Sequence, residues 1–403
     1  MTSVPLTWDV RPLGDLVDIL DSRRIPVSAP ERAKRLGEIP YYGAAGPVGW
    51  IDKALFDEPL VLLGEDGVQF FDPNKSKSYL VDGPAWVNNH AHVLRAREII
   101  ERKFLNCYLN SADYRGFANG TTRLKLTQAA MKQIPVPVPP VSEQCRIVDL
   151  LEDHLSHIDA ADRSVAASIL RLNRLRDSAL AEVVRAARSV EGTETYSLGD
   201  LAKVNSGMTP LRGNKAFYDH GTIPWITSGD LHQGHITKPT HFVTEKALAE
   251  TSLKLLPAGA LLIAMYGEGK TRGTAAELGI AATTNQACAA VALHDPELRP
   301  WVRLILDANY SSLRRLAAGG VQPNLNLSLV KAIQIPVPST PMRESLISRL
   351  GDIDAGRMQL HHGLANARAR GTALRRAVLD AAFSGRLTSI SADLSEADAM
   401  IGV

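Results

Sequence analysis

The chain contains two long stretches in which apolar residues recur at the spacing of an amphipathic helix. In residues 141–188 the apolar positions are Ile147, Leu151, Leu155, Ile158, Ala161, Val165, Leu172, Leu175, Ala179 and Val183. In residues 342–388 they are Leu346, Leu350, Ile353, Leu360, Leu364, Ala367, Leu374, Val378 and Ala381. Steps of four and three are typical of a coiled-coil seam. A helix of about 45 residues extends roughly 65 Å and cannot bury such a stripe alone, so we predict that the two helices pair antiparallel within the chain. Two separate coiled coils used for oligomerisation are the alternative.

Shorter apolar runs elsewhere predict a mixed α+β fold. The predicted strand segments are Leu60–Leu63, Ala85–Leu94, Ala260–Met265 and Ala281–Leu293, and the predicted short helices are Leu124–Lys132 and Leu327–Ala332. The resulting organisation is a globular domain at residues 1–140, a long helix at residues 141–188, a second globular domain at residues 189–341, a second long helix at residues 342–388 and a tail at residues 389–403.

Short sequences recur in the same order in the two globular domains. The sequence QIPVP at residues 133–137 recurs at residues 334–338, LGDL at residues 13–16 recurs at residues 198–201, IPY at residues 39–41 matches IPW at residues 223–225, and GEDG at residues 64–67 resembles GEG at residues 267–269. A separation of about 200 residues is too long for a solenoid repeat. It indicates a duplicated unit made of one globular domain and one helix.

Composition narrows the cellular setting but does not identify a ligand. The 403 residues carry a formal net charge of +2, so any phosphate-binding surface must be local, with acidic residues on another face. The 3 cysteines are widely spaced and form no CxxC pair. Because the sequence shows no long apolar run and no leader peptide, we expect a cytoplasmic protein without a membrane partner.

No set of residues with the spacing of a catalytic or metal site stands out. Residues 264–271 end like a phosphate-binding loop, but Ala264 replaces the required first glycine and Arg272-Gly273 interrupts the helix that should follow. His90 and His92 share one face of a predicted strand, without a third ligand nearby in the sequence. We therefore predict that the chain is not an enzyme, has no metal site and binds no cofactor.

The order of these motifs resembles the specificity subunits of type I restriction-modification systems, over nearly the whole chain. The resemblance is carried by residues 134–147, where IPVP leads into Glu143-Gln144, by IPVP at residues 335–338, and by AFSGRL at residues 382–387. Residues 41–44 and 64–67 of the first domain, and residues 223–226, 261–273 and 282–288 of the second, resemble target recognition domains of this family. At the start of the second helix, Met342-Arg343-Glu344 departs from the Glu-Gln pattern.

The resemblance implies a non-catalytic subunit that reads a bipartite, asymmetric site in double-stranded DNA. Each target recognition domain would read one half of the site, and the two helices would fix the distance between the halves. It also implies two DNA methyltransferase subunits, which bind S-adenosylmethionine, and two restriction subunits, the motor-nucleases, which bind ATP and Mg²⁺. This chain would bind neither cofactor and would serve modification and phage defence.

Base edges are read by amide, guanidinium and hydroxyl groups, and phosphates are held by basic residues. In the first domain the candidate DNA-binding residues chosen by their position in the repeat are Tyr41, Tyr42, Asn88, Asn89 and His90. Arg123 and Lys125 are added because they lie on the loop before the short helix. In the second domain they are Lys270, Arg272, Thr284, Asn285, Gln286, Gln322 and Asn324.

Three other functions compete with this one. The chain could be the specificity subunit of another methyltransferase-based phage-defence system, which the neighbouring genes would reveal. It could be a coiled-coil scaffold that binds no DNA, which salt-dependent DNA binding would exclude. It could also be an unrecognised enzyme, which activity of the isolated chain would support.

Overall fold

The computed structural model describes residues 5, 8–120, 123–267, 271–318 and 324–389. It divides into two compact units, unit 1 with residues 1–166 and 365–403 and unit 2 with residues 167–364. Each unit combines one globular module with parts of both long helices. We call residues 8–138 the first module and residues 194–337 the second module. No helix in the described ranges is long and apolar enough to cross a membrane.

Unit 1 mixes short strands with short helices. Its strands are β1 (Asp9–Pro12), β2 (Val17–Ile19), β3 (Ile39–Gly43), β4 (Gly46–Ile51), β5 (Phe56–Asp57), β6 (Leu60–Gly64), β7 (Ser78–Val81), β8 (Pro84–Val87), β9 (Ala91–Ala96), β10 (Ala118–Asn119), β11 (Lys125–Leu126) and β12 (Pro135–Val138). Its short helices are α1 (Leu13–Leu16), α2 (Ala29–Arg32), α3 (Arg102–Ser111) and α4 (Gln128–Lys132). The first long helix is α5 (Val141–Ser189), which begins in unit 1 and ends in unit 2.

Unit 2 repeats this arrangement. Its strands are β13 (Glu194–Ser197), β14 (Ala202–Ser206), β15 (Ile223–Ile226), β16 (His235–Ile236), β17 (Phe242–Val243), β18 (Leu261–Ala264), β19 (Ala275–Leu278), β20 (Thr283–Thr284), β21 (Cys288–Leu293) and β22 (Gln334–Val337). Its helices are α6 (Leu198–Leu201), α7 (Glu245–Glu250), α8 (Arg299–Ala318) and α9 (Leu327–Lys331). The second long helix is α10 (Thr340–Phe383), which begins in unit 2 and ends in unit 1. The α+β fold predicted from the sequence is confirmed.

The central strand of each module is buried on both faces, which explains its unbroken apolar sequence. The strand order β2-β9-β6-β7 in the first module corresponds to β14-β21-β18-β19 in the second. In β6, Val61 and Leu63 pack into the core formed with the helices, whereas Leu60 and Leu62 pack into a smaller core on the other face. Strand β18 alternates in the same way between two cores.

Two predicted strand segments are each interrupted by a turn. Ala85–Leu94 becomes β8 and β9 with residues 88–90 between them, and Ala281–Leu293 becomes β20 and β21 with residues 285–287 between them. The sequence pattern does not reveal such a break, because each turn is only three residues long and has apolar strand residues on both sides. Within each segment, the first strand pairs in parallel with β3 or β15, and the second pairs antiparallel with β6 or β18.

The predicted antiparallel pairing of the long helices is confirmed within each unit. In unit 1, Asp159 of α5 contacts Arg375 of α10, and Asp162 lies 3.3 Å from Arg368, so the numbering rises along one helix as it falls along the other. In unit 2, Arg176 of α5 lies 3.2 Å from Asp354 of α10. The apolar seam and these ion pairs lie along the same helices, as expected of a coiled coil.

The start of each long helix is bound to the proline segment that precedes it. Gln144 is fully buried: its amide nitrogen donates to the carbonyls of Pro139 at 2.8 Å and Ile99 at 3.0 Å, and its oxygen accepts from the N–H of Glu101 at 2.6 Å. At the start of α10, Arg343 donates to the carbonyl of Pro338 at 2.8 Å. Arg343 therefore replaces Gln144 as the residue that binds the helix to the proline segment.

Candidate nucleic-acid interface

Each module presents a short polar turn at the same place in its sheet. We call residues 88–90, between β8 and β9, the first turn, and residues 285–287, between β20 and β21, the second turn. The side-chain oxygen of Asn88 accepts from the backbone N–H of His90 at 2.8 Å, and that of Asn285 accepts from the N–H of Ala287 at 3.1 Å. An asparagine side chain closes such a turn onto its own backbone. Both modules thus use the same residue type to shape the turn.

Backbone hydrogen bonds to neighbouring strands confirm that the two turns are equivalent. The N–H of Asn88 donates to the carbonyl of Tyr42, and the N–H of Asn285 donates to the carbonyl of Ile226, both at 3.0 Å. Tyr42 and Ile226 in turn hold the same place in β3 and β15, the parallel partners of β8 and β20. Asn285 is therefore the structural counterpart of Asn88.

The sheet register corrects one sequence match. Gly64 and Ala264 hold equivalent places, since each pairs with the residue that directly follows its turn. The next residues, Glu65 and Met265, each donate from the backbone to the carbonyl of the last turn residue, at 2.8 and 2.7 Å. The predicted match of GEDG with GEG at residues 267–269, of which 268 and 269 lie outside the described residues, is therefore wrong. Apolar Met265 stands where the first module has the acid Glu65.

Arg24 is the centre of a largely buried ionic network behind the first turn. Its guanidinium lies 2.9 Å from Glu65 and 3.4 Å from Asp21, and it donates to the carbonyl of Ala91 at 2.6 Å. The side chains of Arg24, Glu65 and Asp21 are only 13%, 14% and 7% exposed. Because carboxylates are costly to bury without a partner, Arg24 balances two acids and also anchors the strand that leaves the turn.

His92 joins this network from β9. Its side chain is 1% exposed, its Nδ1 lies 2.6 Å from Asp21 and its Nε2 lies 2.8 Å from the carbonyl oxygen of Leu126. Burial raises the pKa of Asp21, but the hydrogen bond from His92 and the charge of Arg24 outweigh it and hold that pKa below its usual value. We call Asp21, Arg24, Glu65 and His92 the Arg24 network.

Three members of this network have ligand atoms within 4.8 Å of one another, as a metal site would require. Both carboxylates, from Asp21 and Glu65, are already engaged by the guanidinium of Arg24, a cation that takes the electrostatic role a metal would have. His92 likewise has hydrogen-bonding partners at both ring nitrogens. The geometry is that of an ion-pair network.

The exposed residues around the first turn form a second layer of ion pairs. One oxygen of Asp66 lies 2.8 Å from His90 and 2.6 Å from Arg123. Lys125 lies 3.1 Å from Glu65. The structure thus brings together five predicted DNA-binding residues from separate parts of the first module: Asn88, Asn89, His90, Arg123 and Lys125.

The two predicted tyrosines occupy less accessible positions. Tyr41 is 2% exposed, its hydroxyl lies 3.2 Å from both the N–H and the carbonyl of Val27, and the guanidinium of Arg32 covers its ring at 4.6 Å. Tyr42 is half-buried, with its ring centre 5.8 Å from that of Tyr79. The structure places Tyr41 in the core, whereas Tyr42 lies beside the first turn.

The second turn is held mainly by backbone contacts. The N–H of Gly207 donates to the carbonyl of Cys288 at 3.2 Å, and the N–H of Met208 donates to the carbonyl of Thr284 at 2.9 Å. A Cβ atom on Gly207 would come closer than 3.0 Å to the carbonyl oxygens of Thr284 and Asn285. A glycine is therefore required for this close approach.

The predicted residues of the second module have different degrees of exposure. Gln286 is exposed at the tip of the turn and pairs with the hydroxyl of Thr209, whereas Thr284 is buried. Asn324 is half-buried and directly precedes Leu325, whose N–H donates to the carbonyl of Met265. In the first module Lys125 directly precedes Leu126, whose N–H donates to the carbonyl of Glu65, so Asn324 corresponds to Lys125. Arg272 is half-buried before β19, and Lys270 and Gln322 lie outside the described residues.

Several residues that shape the two turns were missed from the sequence. Asp21, Arg24 and Asp66 lie far along the chain from the residues they contact, and Gly207 and Thr209 have no motif around them. The described residues that follow the segment 264–271 form a turn and then strand β19 rather than a helix, which excludes the phosphate-loop interpretation. The one available signal was the duplication, which indicated residues 88–90 but not the residues that support them.

Comparison with known proteins places both modules in one family. Residues 5–164 and 190–367 match the family model described as type I restriction modification DNA specificity domain. A Haemophilus influenzae protein described as a candidate type I restriction enzyme specificity subunit is 37% identical over 142 residues, 35% of this chain and 36% of the relative. The Escherichia coli EcoR124I/EcoR124II specificity subunit is 25% identical over 272 residues, 65% of this chain and 65% of the relative, so the matches span a third to two thirds of these relatives. A chain from a solved structure of complex assembly and conformational transition in the type I R-M system shares the fold, with a TM-score of 0.75, 19% identity and coverage of 95% of this chain and 99% of that one.

Proposed function

Because the chain belongs to the type I restriction-modification DNA specificity family, we propose that it is the DNA sequence-specificity subunit of a type I restriction-modification complex. In this role it recognises a bipartite, asymmetric site in double-stranded DNA. The first turn and its neighbours read one half of the site, and the second turn and its neighbours read the other.

The observation that carries this proposal is the pair of equivalent turns. Both have the same asparagine and the same backbone hydrogen bonds, yet the residues that follow are Asn89-His90 in one and Gln286-Ala287 in the other. Amide and imidazole groups can discriminate base edges, whereas an alanine offers only a methyl contact. A duplicated fold with different side chains at its exposed turns suits a reader of two unlike half-sites.

The exposed cations suit contacts to the DNA backbone. Arg123 and Lys125 lie beside the first turn with side chains 58% and 53% exposed, and each is paired with an acid that a phosphate can replace. The corresponding position in the second module is Asn324, which is uncharged. At this position the first module would therefore contribute more of the salt-dependent affinity than the second.

We assign the chemistry to partners of this chain. It acts as a non-catalytic subunit on which two methyltransferase subunits and two restriction subunits assemble. S-adenosylmethionine is bound by the methyltransferase subunits, and ATP with Mg²⁺ by the restriction subunits. The family likeness and the length of the two helices, 49 and 44 residues, support this assignment.

The test is a modified-base map of the source genome with the gene intact, deleted, or carrying a substitution in one turn. We expect deletion to remove adenine methylation at one bipartite motif. His90→Ala should relax or abolish recognition in one half of the motif only, and Gln286→Ala in the other half only. Arg115→Ala is the control, since Arg115 is exposed and its side chain bonds only to Asp113 among the contacts found.

Two results would contradict the proposed function. A map that the deletion leaves unchanged, in cells shown to express the protein, would exclude the methylation role. Purified complex that binds DNA without salt dependence, or not at all, would favour the scaffold instead.

A further inference from the structure

Both ring nitrogens of His92 face groups that can only accept hydrogen bonds. Nδ1 lies 2.6 Å from a carboxylate oxygen of Asp21, and Nε2 lies 2.8 Å from the backbone carbonyl oxygen of Leu126. A neutral imidazole has one N–H and one lone pair, so it could satisfy only one of these acceptors. The other contact would set a lone pair against an oxygen in a place that water does not reach.

The groups around His92 favour a cation at this position. Asp21 approaches from the segment after β2, and Glu65, from the segment after β6, lies 3.9 Å from Nδ1. Arg24 is the cation that bonds to both acids, and Lys125 is a second cation, at Glu65 only. Gln128 of α4 donates its amide to Asp21 at 3.3 Å, and Lys125 lies 3.1 Å from Glu65. Two carboxylates thus face Arg24 and His92 from two sides.

The bond to Leu126 connects this buried site to the DNA-facing surface. Leu126 belongs to β11, and the residue before it is Lys125. Arg123 precedes both on the same short segment. A donor at Nε2 therefore holds the backbone that presents two exposed cations beside the first turn.

We propose that His92 is held as an imidazolium and acts as a positioning residue, fixing residues 123–126 against the first turn. Its role in DNA reading rests on the proposed function, whereas its protonation state does not. The low pKa of Asp21, which His92 helps to cause, agrees with an ion pair. In the second module the equivalent residue is Ala289, so the device belongs to one half of the protein.

The first test is the nitrogen NMR spectrum of the full chain labelled at histidine. The His92 signal is assigned through its backbone and by its loss in His92→Gln. We expect both ring nitrogens to be protonated at neutral pH, and Asp21→Asn to remove one of the two protons. His157→Gln is the control, since His157 is exposed and should leave the His92 signal unchanged. A single protonated nitrogen at neutral pH in the unaltered chain would overturn the proposal, and this readout does not need any variant to fold.

The second test is DNA affinity, measured for the complex with its methyltransferase subunits on a duplex carrying the mapped motif. Affinity of the unaltered complex should fall by about tenfold as the pH is raised from about 6 to about 9. In His92→Gln it should be lower at the acidic end and lose this pH dependence. An unchanged pH profile in His92→Gln would refute the positioning role. If no duplex is bound at any pH, the proposed function fails, whereas the NMR spectrum still decides the protonation state.

Discussion

The two turns have the same shape, but different chemistry holds them in place. The carbonyl of Ala91, directly after the first turn, accepts from the guanidinium of Arg24. Its counterpart after the second turn, the carbonyl of Cys288, accepts from the backbone N–H of Gly207. The first module thus binds this carbonyl with a long charged side chain, whereas the second binds it with the backbone of a neighbouring segment.

This difference extends through the neighbouring positions. The β-sheet registers place Ser206 where the first module has Asp21, Met265 where it has Glu65, and Ala289 where it has His92. The hydrogen bonds that fix the backbone are retained, whereas the side chains behind them are not. A fold can thus keep one presenting turn while its support changes from ionic to apolar.

The largest expected effect is that of Arg24→Met. It removes the guanidinium that the two largely buried acids share and leaves Glu65 with Lys125 and Asp21 with His92. Breaking a buried ion pair typically costs about 3–5 kcal/mol. Ser206→Ala, at the exposed counterpart of Asp21, should change stability by less than about 0.5 kcal/mol. Chemical denaturation would measure the loss of stability, and hydrogen exchange would show in which module it occurs. Equal losses in the two variants would show that the network does not support the first module.

A somewhat smaller effect is expected at the helix starts. Gln144→Ala removes three hydrogen bonds and leaves one buried and two half-buried backbone partners unsatisfied, at a cost of about 3 kcal/mol. Arg343→Ala removes bonds from a half-buried residue and should cost less than about 1 kcal/mol. Urea unfolding midpoints compare the two directly. If Arg343→Ala proves the more harmful, the two helix starts are not related as described.

Gly207→Ala should follow, with a cost of about 2 kcal/mol, because the added methyl group overlaps the carbonyls of the second turn. Ser22→Ala, at the matching exposed position of the first module, is the control. Under the proposed function, Gly207→Ala should also impair recognition of one half-site only. Thermal unfolding and the methylation map provide the two readouts, and wild-type values in both would show that the close approach is dispensable.

The smallest expected effect is the loss of stability of the first module at low pH. Burial raises the pKa values of Asp21 and Glu65, but their hydrogen-bonding and cationic partners lower them by more than burial raises them. Both pKa values therefore lie below the ordinary values of 3.8 and 4.5. Stability from a lowered carboxyl pKa is present above the ordinary value and is lost as the pH falls through the folded-state value. The first module should therefore weaken progressively below about pH 4.5. Asp21→Asn should flatten this profile in hydrogen exchange, and a profile as steep as that of the unaltered chain would exclude Asp21 as its source.

How much the sequence could predict depended on the range of the contacts. The long helices follow from local periodicity, since every apolar position of a seam lies within a few residues of the next. The polar residues at both turns were predicted as DNA-binding candidates, those of the first module by their position in the repeat, but unbroken strands were predicted there. The pairing of His92 with Asp21 and with Leu126 could not be predicted, because it joins residues brought together only by the sheet and by the segment before α4. The requirement for Gly207 likewise depends on a backbone approach that has no local pattern.

The asparagine that closes each turn has a practical consequence for protein engineering. Because Asn88 and Asn285 fix the backbone through their own side chains, the residues at 89, 286 and 287 can be randomised while the scaffold is retained. Under the proposed function, libraries built at these positions would let new target sequences be selected one half-site at a time. Asn88 and Asn285 would be kept unchanged in every such library, because each closes its turn.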